Sequence, residues 1–286
     1  MKFSFITILL LLSNTLPLLG QNSDYGSQTY IHSVISEENK VYQLKVTLPA
    51  NYNENKTYET LYYLDSWWLS ELVLGTNALL NTTEQITDIV FVGITLEGNL
   101  LDWNIQRTFD FTPSKYNMPI EQRVGIGENA IPLDENTTGG AAIFMEFLET
   151  KIVTLIRDSY PNLSEKRGLL GHSFGGLFAF YIMQHKPRLF SDFIIISPAL
   201  WWNEQELLNE KYFEHLKSSK KSTTLFLSYG EDESKWIVRS SIEMNGLITN
   251  LRLSLMDYEF VTYEKSNHNS VLPRAIYDGL LMLYKK

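Results

Sequence analysis

Residues 167–183, RGLLGHSFGGLFAFYIM, constrain this chain more than any other stretch. At the centre, Gly171, His172, Ser173, Phe174 and Gly175 form G-x-S-x-G, and Gly176 extends the second glycine into a pair. In such a pattern the serine sits on a sharp turn between a strand and a helix, in strained backbone that pushes its hydroxyl clear of both. The glycines two before and two after it are expected to leave room where side chains would collide with neighbouring backbone. The flanks agree. Arg167–Leu170 is a short strand-like run, and Phe174, Leu177, Phe178, Tyr181 and Ile182 recur at helical spacing along one face. Ser173 is therefore a candidate nucleophile at the end of a strand.

Strands and helices alternate on either side of this turn. Thr29–Ser36 and Lys40–Leu48 alternate apolar and polar residues across Glu-Glu-Asn and read as a hairpin. Thr60–Leu64 and Ile86–Ile94 read as strands around a helix at Leu69–Leu80. From Thr95 to Asn136 periodicity disappears, which predicts a long functional loop. An apolar stripe of Phe144, Phe147, Leu148, Ile152, Leu155 and Ile156 predicts a helix. After the serine turn come a strand at Phe193–Ile196, a polar helix near Glu204–Leu216 and a strand at Thr224–Tyr229. A helix within Ile237–Leu251, a strand at Tyr258–Tyr263 and a helix at Leu272–Leu283 complete the chain. This order predicts an α/β fold: a mostly parallel central sheet with helices on both faces and a site at the strands' C-terminal ends.

The first residues, MKFSFITILLLLSNTLPLLG, place one lysine before an apolar run that ends in small residues. That pattern is a secretory signal peptide over 1–20, cut near Gly20–Gln21, leaving 21–286 as one domain with no stable membrane insertion. A periplasmic or secreted location follows. The chain has no cysteine, which excludes disulfides, thiolate metal sites and a thiol nucleophile. Its net charge of −9 argues against nucleic acid, whose phosphates need clustered Lys and Arg. No metal or other cofactor is called for.

A serine hydroxyl needs a base to take its proton and a carboxylate to orient that base. In strand–serine–helix enzymes the chain order is serine, acid, histidine. Of the five histidines, His32 precedes the serine and His172 adjoins it, so it is expected to point elsewhere. His185 lies three helical turns on, about 18 Å away. His215 sits on the polar helix, which leaves His268, in the loop Lys265–Ser270. The acid belongs just after Thr224–Tyr229, where Glu231, Asp232 and Glu233 follow one another. Glu233 stands in the G-x-x-acid register from Gly230, with Asp232 the alternative. Two backbone N–H groups must hold the oxyanion: Phe174, after the nucleophile, and Trp67, after the strand Thr60–Leu64.

From about Leu48 to Leu283 the chain resembles the esterase D type α/β-hydrolase family, which includes periplasmic trilactone siderophore esterases. The stretches that carry the resemblance are LYYLDSWW, QRTFDFTPSK, GGAAIFMEFLE, LLGHSFGGLFAFY, ISPALWW and SNHNSVLP. It implies an α/β-hydrolase fold with Ser173, His268 and one of the downstream acids as the active site, and Trp67 as an oxyanion donor. Ser66 stands where the family has a glycine. Some members use a serine–histidine pair without an essential acid. Arg107, Asp110, Thr112 and Pro113 match a further family stretch, with Arg107 either anchoring an anionic substrate or bridging to Asp110. Together these readings predict a serine esterase working through an acyl-enzyme, on siderophore or related aromatic oligo-esters. An acetyl or feruloyl esterase of carbohydrate or plant phenolics is the alternative. Behind it stand a thioester hydrolase, disfavoured by the leader, and a non-catalytic binding domain, disfavoured by the intact motif. Trp103, Arg107, Phe109, Phe111 and Tyr116 are expected over the mouth of the site, with Trp201 and Trp202 extending the wall. The oligomeric state stays open.

Overall fold

The hairpin forms as β2 (Gln28–Ile35) and β3 (Val41–Leu48), antiparallel in register, with Asn39 at φ 60° closing the turn. The computed structural model describes residues 18–22, 26–118, 122–125 and 127–286. Residues 1–17 of the expected leader lie outside them, and the expected cut at Gly20–Gln21 falls within β1 (Leu18–Asn22), which pairs with β2.

After the hairpin the chain runs β4 (Tyr58–Tyr63), α1 (Ser66–Thr82), β5 (Ile89–Leu96) and α2 (Leu100–Phe111). A two-residue ribbon, β6 (Arg123–Val124) with β7 (Ile131–Pro132), precedes α3 (Ala141–Phe147) and α4 (Thr154–Ser159). Then follow β8 (Leu163–His172), α5 (Phe174–His185), β9 (Asp192–Ile196), α6 (Trp202–Gln205) and α7 (Glu214–Lys217). The last elements are β10 (Thr223–Gly230), α8 (Lys235–Leu251), β11 (Met256–Tyr263) and α9 (Leu272–Tyr284).

Nine strands form the main sheet in the order β1-β2-β3-β5-β4-β8-β9-β10-β11. The pairs from β1 to β5 are antiparallel and those from β5 to β11 parallel. Side chains alternate across each strand, so both faces must be covered. Leu169 and Leu170 of β8 are both fully buried, in the cores on opposite faces. One core contains residues of α1 and α9 and the other residues of α2 to α5 and α8. Burial of each such leucine or phenylalanine contributes about 1.5–3 kcal/mol. Because β4 lies between β5 and β8, the chain reverses its direction of travel there, and a crevice opens at the C-terminal ends of β4 and β8.

The segment expected to be a loop from Thr95 contains a helix. Asn99 caps α2 by accepting from Leu101 and Asp102 N–H, and the Asp102 carboxylate accepts from Asn99 N–H in return. Behind this cap most of what the helix buries is polar: Asn104, Thr108 and Asp110, with Phe111 the apolar exception. Asn104 donates to the carbonyls of Val124 and Asn129, so a helix that reads as hydrophilic still buries one face. Two other elements differ from expectation. A π-helical turn, Leu148–Val153, separates α3 from α4. The polar helix is broken into α6, a 3₁₀ turn at Glu210–Phe213 and α7. Asn203, Glu204 and Gln205 all have positive φ, and the Asn203 amide anchors that turn by donating to Ser114 Oγ and Lys115 O at 2.6 and 2.7 Å.

Asp110 gives α2 a pH dependence. Tyr42 Oη and Gln106 Nε2 donate to its carboxylate at 2.6 and 2.8 Å, but burial dominates and pushes the group up to about 7. The folded state therefore holds this proton more tightly than the unfolded chain. Stability from Asp110 is fully present below the unfolded carboxylate pKa and falls, by roughly 1.4 kcal/mol per pH unit, until pH passes about 7. Asp110→Asn should flatten the decline in melting temperature across that window, and an equally steep decline in the variant would assign it to other groups.

Candidate active site

Ser173 links β8 to α5 with φ 59° and ψ −118°, a conformation that costs an L-residue about 1–3 kcal/mol and that the surrounding structure must impose. Its N–H donates to Ile196 O at 3.1 Å, and its own carbonyl accepts from Leu177 and Ala199 N–H at 3.0 Å each. A Cβ at Gly171 would lie 2.2 Å from Gly175 O, so this glycine is required for close approach. At Gly175 a Cβ would meet nothing nearer than Leu64 Cδ1 at 3.4 Å, an ordinary contact. The second tight position is instead Gly176, where a Cβ would come 3.0 Å from Pro198 Cβ.

His268 and Glu233 come together. His268 Nδ1 donates to Glu233 Oε2 at 2.7 Å, and the Glu233 side chain is fully buried while His268 stays about a third exposed. Glu233 Oε1 accepts from Gly230 N–H at 3.0 Å and from the Ser197 hydroxyl. A carboxylate surrounded by donors stays an acceptor, so His268 keeps its proton on Nδ1 and leaves Nε2 free. Asp232 and Glu231 are exposed, and Asp232 contributes a main-chain bond, from its N–H to Ser266 O. His32 bonds to Tyr160, His185 to the Tyr181 carbonyl, and His215 is on the surface. His172 differs from expectation. Instead of pointing away, it packs its ring on His268 at 4.4 Å between centroids.

Ser173, Phe174 and His268 line a cleft of about 740 Å³. Trp67, Trp68, Trp103, Trp201 and Trp236 all line it. Trp202 does not join them: it is fully buried against Tyr116 and Phe174. Phe111 and Tyr116 are likewise core residues, and Phe109 lies over Gly140, so of the five expected mouth residues only Trp103 and Arg107 face the cleft. Trp236, at the start of α8, was missed because an isolated tryptophan in a helix has no pattern around it.

Arg107 is paired, though not with Asp110. Its Nε and Nη2 donate to the two oxygens of Asp65 at 2.8 and 2.7 Å, and the guanidinium lies over Trp103, Phe111 and Phe174. Only about a tenth of the Arg107 side chain is exposed and Asp65 is sealed, so this is a partly buried bidentate pair. Asp65, at φ 55°, makes the turn into α1 that a glycine would otherwise make, and Ser66 follows as the first helical residue. Ser66 fits because its neighbour in β5 is Gly93, where a Cβ would lie 2.7 Å from Ser66 Cβ. Asp65, which precedes α1, comes within 3.6 Å of where a Cβ on Gly175 in the first turn of α5 would lie, and each helix begins with N–H groups not used inside it.

A mostly parallel sheet with helices on both faces and a serine elbow at the switch point defines an α/β-hydrolase. The fold is shared with the BES protein from Bacillus cereus, at TM-score 0.79 and 24% identity over 94% of this chain and 98% of that one. The chain belongs to the esterase family whose model is described as "Putative esterase", which matches residues 35–269. It is 28% identical over 222 residues to the siderophore triacetylfusarinine C esterase of Aspergillus fumigatus, covering 69% of this chain and 70% of that protein. To the ferri-bacillibactin esterase BesA of Bacillus subtilis it is 25% identical over 246 residues, with 82% of each covered. The protein is a carboxylic ester hydrolase.

Proposed function

We propose that this esterase hydrolyses aromatic oligo-esters of the siderophore type through an acyl-enzyme on Ser173, in the periplasm or outside the cell. The observation that carries the reading is the Glu233–His268 pair set beside a strained serine in a tryptophan-walled cleft. His268 Nε2 takes the Ser173 proton as Oγ attacks the ester carbonyl. The oxyanion is held by the N–H groups of Phe174 and Trp67, and collapse expels the alcohol, which receives the proton from His268. Water, deprotonated by the same nitrogen, then attacks the acyl-Ser173 ester, and the acid leaves as His268 returns that proton to Ser173 Oγ. Trp201 and Arg107 form the substrate-facing wall. The relatives named for siderophore esters support this substrate class, and so do the indoles, which suit flat acyl groups. The leader-like residues 1–20 support export; among the described residues no helix is long and apolar enough to cross a membrane.

The charge of Arg107 is balanced by Asp65, so it adds little net attraction for an anion. Arg107→Ala would instead leave Asp65 buried and unpaired, at a cost of about 3–5 kcal/mol. Arg123 is the better cation to test: it is exposed, lines the cleft, and no carboxylate pairs with it among the described residues. A panel of p-nitrophenyl esters, acetylated and feruloylated sugars, S-formylglutathione and catecholate trilactones should show the largest kcat/KM on the trilactones. Trp201→Ala should weaken the aromatic members roughly 2- to 12-fold, matching a stacking contribution of about 0.5–1.5 kcal/mol, and spare acetyl esters. Arg123→Gln should weaken only the anionic ones. Fast turnover confined to feruloylated sugars would move the assignment to the phenolic-ester alternative, which the same indole wall also suits.

A further inference from the structure

His172 is held on three sides. As the last residue of β8 it is aligned with Ile196 of β9, its ring is T-shaped to Trp68 at 5.8 Å, and the tilted His268 ring lies against it at 4.4 Å. Its Nε2 lies 2.8 Å from the carbonyl oxygen of His268. A carbonyl only accepts, so His172 carries its proton on Nε2 and donates. Burial, with the neighbouring His268 and Arg107 adding to it, holds the pKa of His172 well below the usual histidine range. When His268 becomes a cation it therefore rests on a neutral ring.

The loop that carries His268 folds largely on itself. Asn267 Oδ1 accepts from Asn269 and Ser270 N–H, and Ser270 Oγ accepts from Asn267 N–H. These bonds set its shape but not its place relative to β8. Asp232 N–H ties Ser266 to the end of β10, and the Glu233 carboxylate holds the His268 ring. The bond from His172 is different, because it joins the His268 main chain to the residue directly before Ser173.

We propose that His172 is a positioning residue, which references the His268 main chain to the strand end that carries Ser173 by its N–H···O=C bond. This rests on Ser173 and His268 acting as nucleophile and base. Both partners in the proton transfer then take their position from residues 172 and 173, so a shift in the His268 loop alters their separation directly. A displacement of about 1 Å between such partners costs roughly 100-fold in rate.

Two variants separate the contacts. His172→Phe keeps an aromatic ring and loses the donor; His172→Gln loses the ring and keeps an N–H at the reach of imidazole Nε2. The readouts are kcat and KM for p-nitrophenyl butyrate per titrated active site, the rate of fluorophosphonate labelling, and the melting temperature. Mass-spectrometric mapping of the label to Ser173 in the wild type tests the underlying site first and separately. The Phe variant should lose about 30- to 100-fold in kcat and labelling with KM within about 2-fold, and Gln should stay within about 5-fold of wild type. Wild-type kcat per active site in the Phe variant would overturn the proposal while leaving the Ser173 assignment intact. If neither variant folds, ¹⁵N-histidine NMR of the wild type decides. His172 should be the neutral Nε2–H tautomer at the pH where the enzyme turns over, and the opposite tautomer would overturn the proposal.

Discussion

Ser173→Ala is expected to lower ester turnover by about 10⁴- to 10⁶-fold and to abolish labelling by a fluorophosphonate. The fold should survive, because the hydroxyl makes no part of the elbow. The turn is held by main-chain bonds from Ser173 to Ile196, Leu177 and Ala199, and by the contact between Gly171 and the Gly175 carbonyl. Alanine keeps the same Cβ at φ 59°, so the strain remains in that variant. Ser173→Gly removes both hydroxyl and Cβ. It should be equally inactive but more stable than the alanine variant by about 1 kcal/mol, since glycine tolerates positive φ. Melting temperatures of the pair, alongside turnover of p-nitrophenyl butyrate, therefore separate strain from chemistry. Retained labelling in either variant would show that another serine carries the acyl group.

What the sequence revealed of this site follows from how local each constraint is. The elbow is written in adjacent residues, because the glycine at 171 and the one at 176 each answer to backbone or proline atoms within a few ångströms. His268 could be reached by elimination, because chain order in this architecture leaves few candidates. Contacts made across the sheet ends were not legible. That Arg107 reaches Asp65, forty-two positions away, rather than Asp110, three away on the same helix, is decided by how α2 docks against the start of α1. The same docking turns Asp110 inward to Tyr42. Helix α2 itself was hidden because three of its four buried residues are polar: Asn104 and Asp110 meet partners far along the chain, Thr108 donates back to the Asn104 carbonyl, and Phe111 alone leaves no apolar period. Trp201 and Trp202 show the limit of adjacency: one lines the cleft, and the other is sealed in the core by the left-handed turn that follows.

Glu233→Gln carries the second large effect, a fall in kcat of about 10⁴-fold with little change in KM. The reason lies in the donors around the carboxylate. Gly230 N–H and the Ser197 hydroxyl both point at Oε1, and His268 Nδ1 points at Oε2. A glutamine will place its single oxygen where two donors demand it, which puts its NH₂ opposite His268. The imidazole must then accept at Nδ1 and carry its proton on Nε2, the tautomer that cannot take a proton from Ser173. Packing is preserved, so the melting temperature should move little. Asp232→Asn is the control: Asp232 is exposed and engages the His268 loop through its main-chain N–H, which asparagine retains. A large loss from Asp232→Asn with a mild one from Glu233→Gln would transfer the role to the neighbouring acid. Mild losses from both would mean that Ser173 and His268 work as a pair, with Glu233 serving to hold the loop.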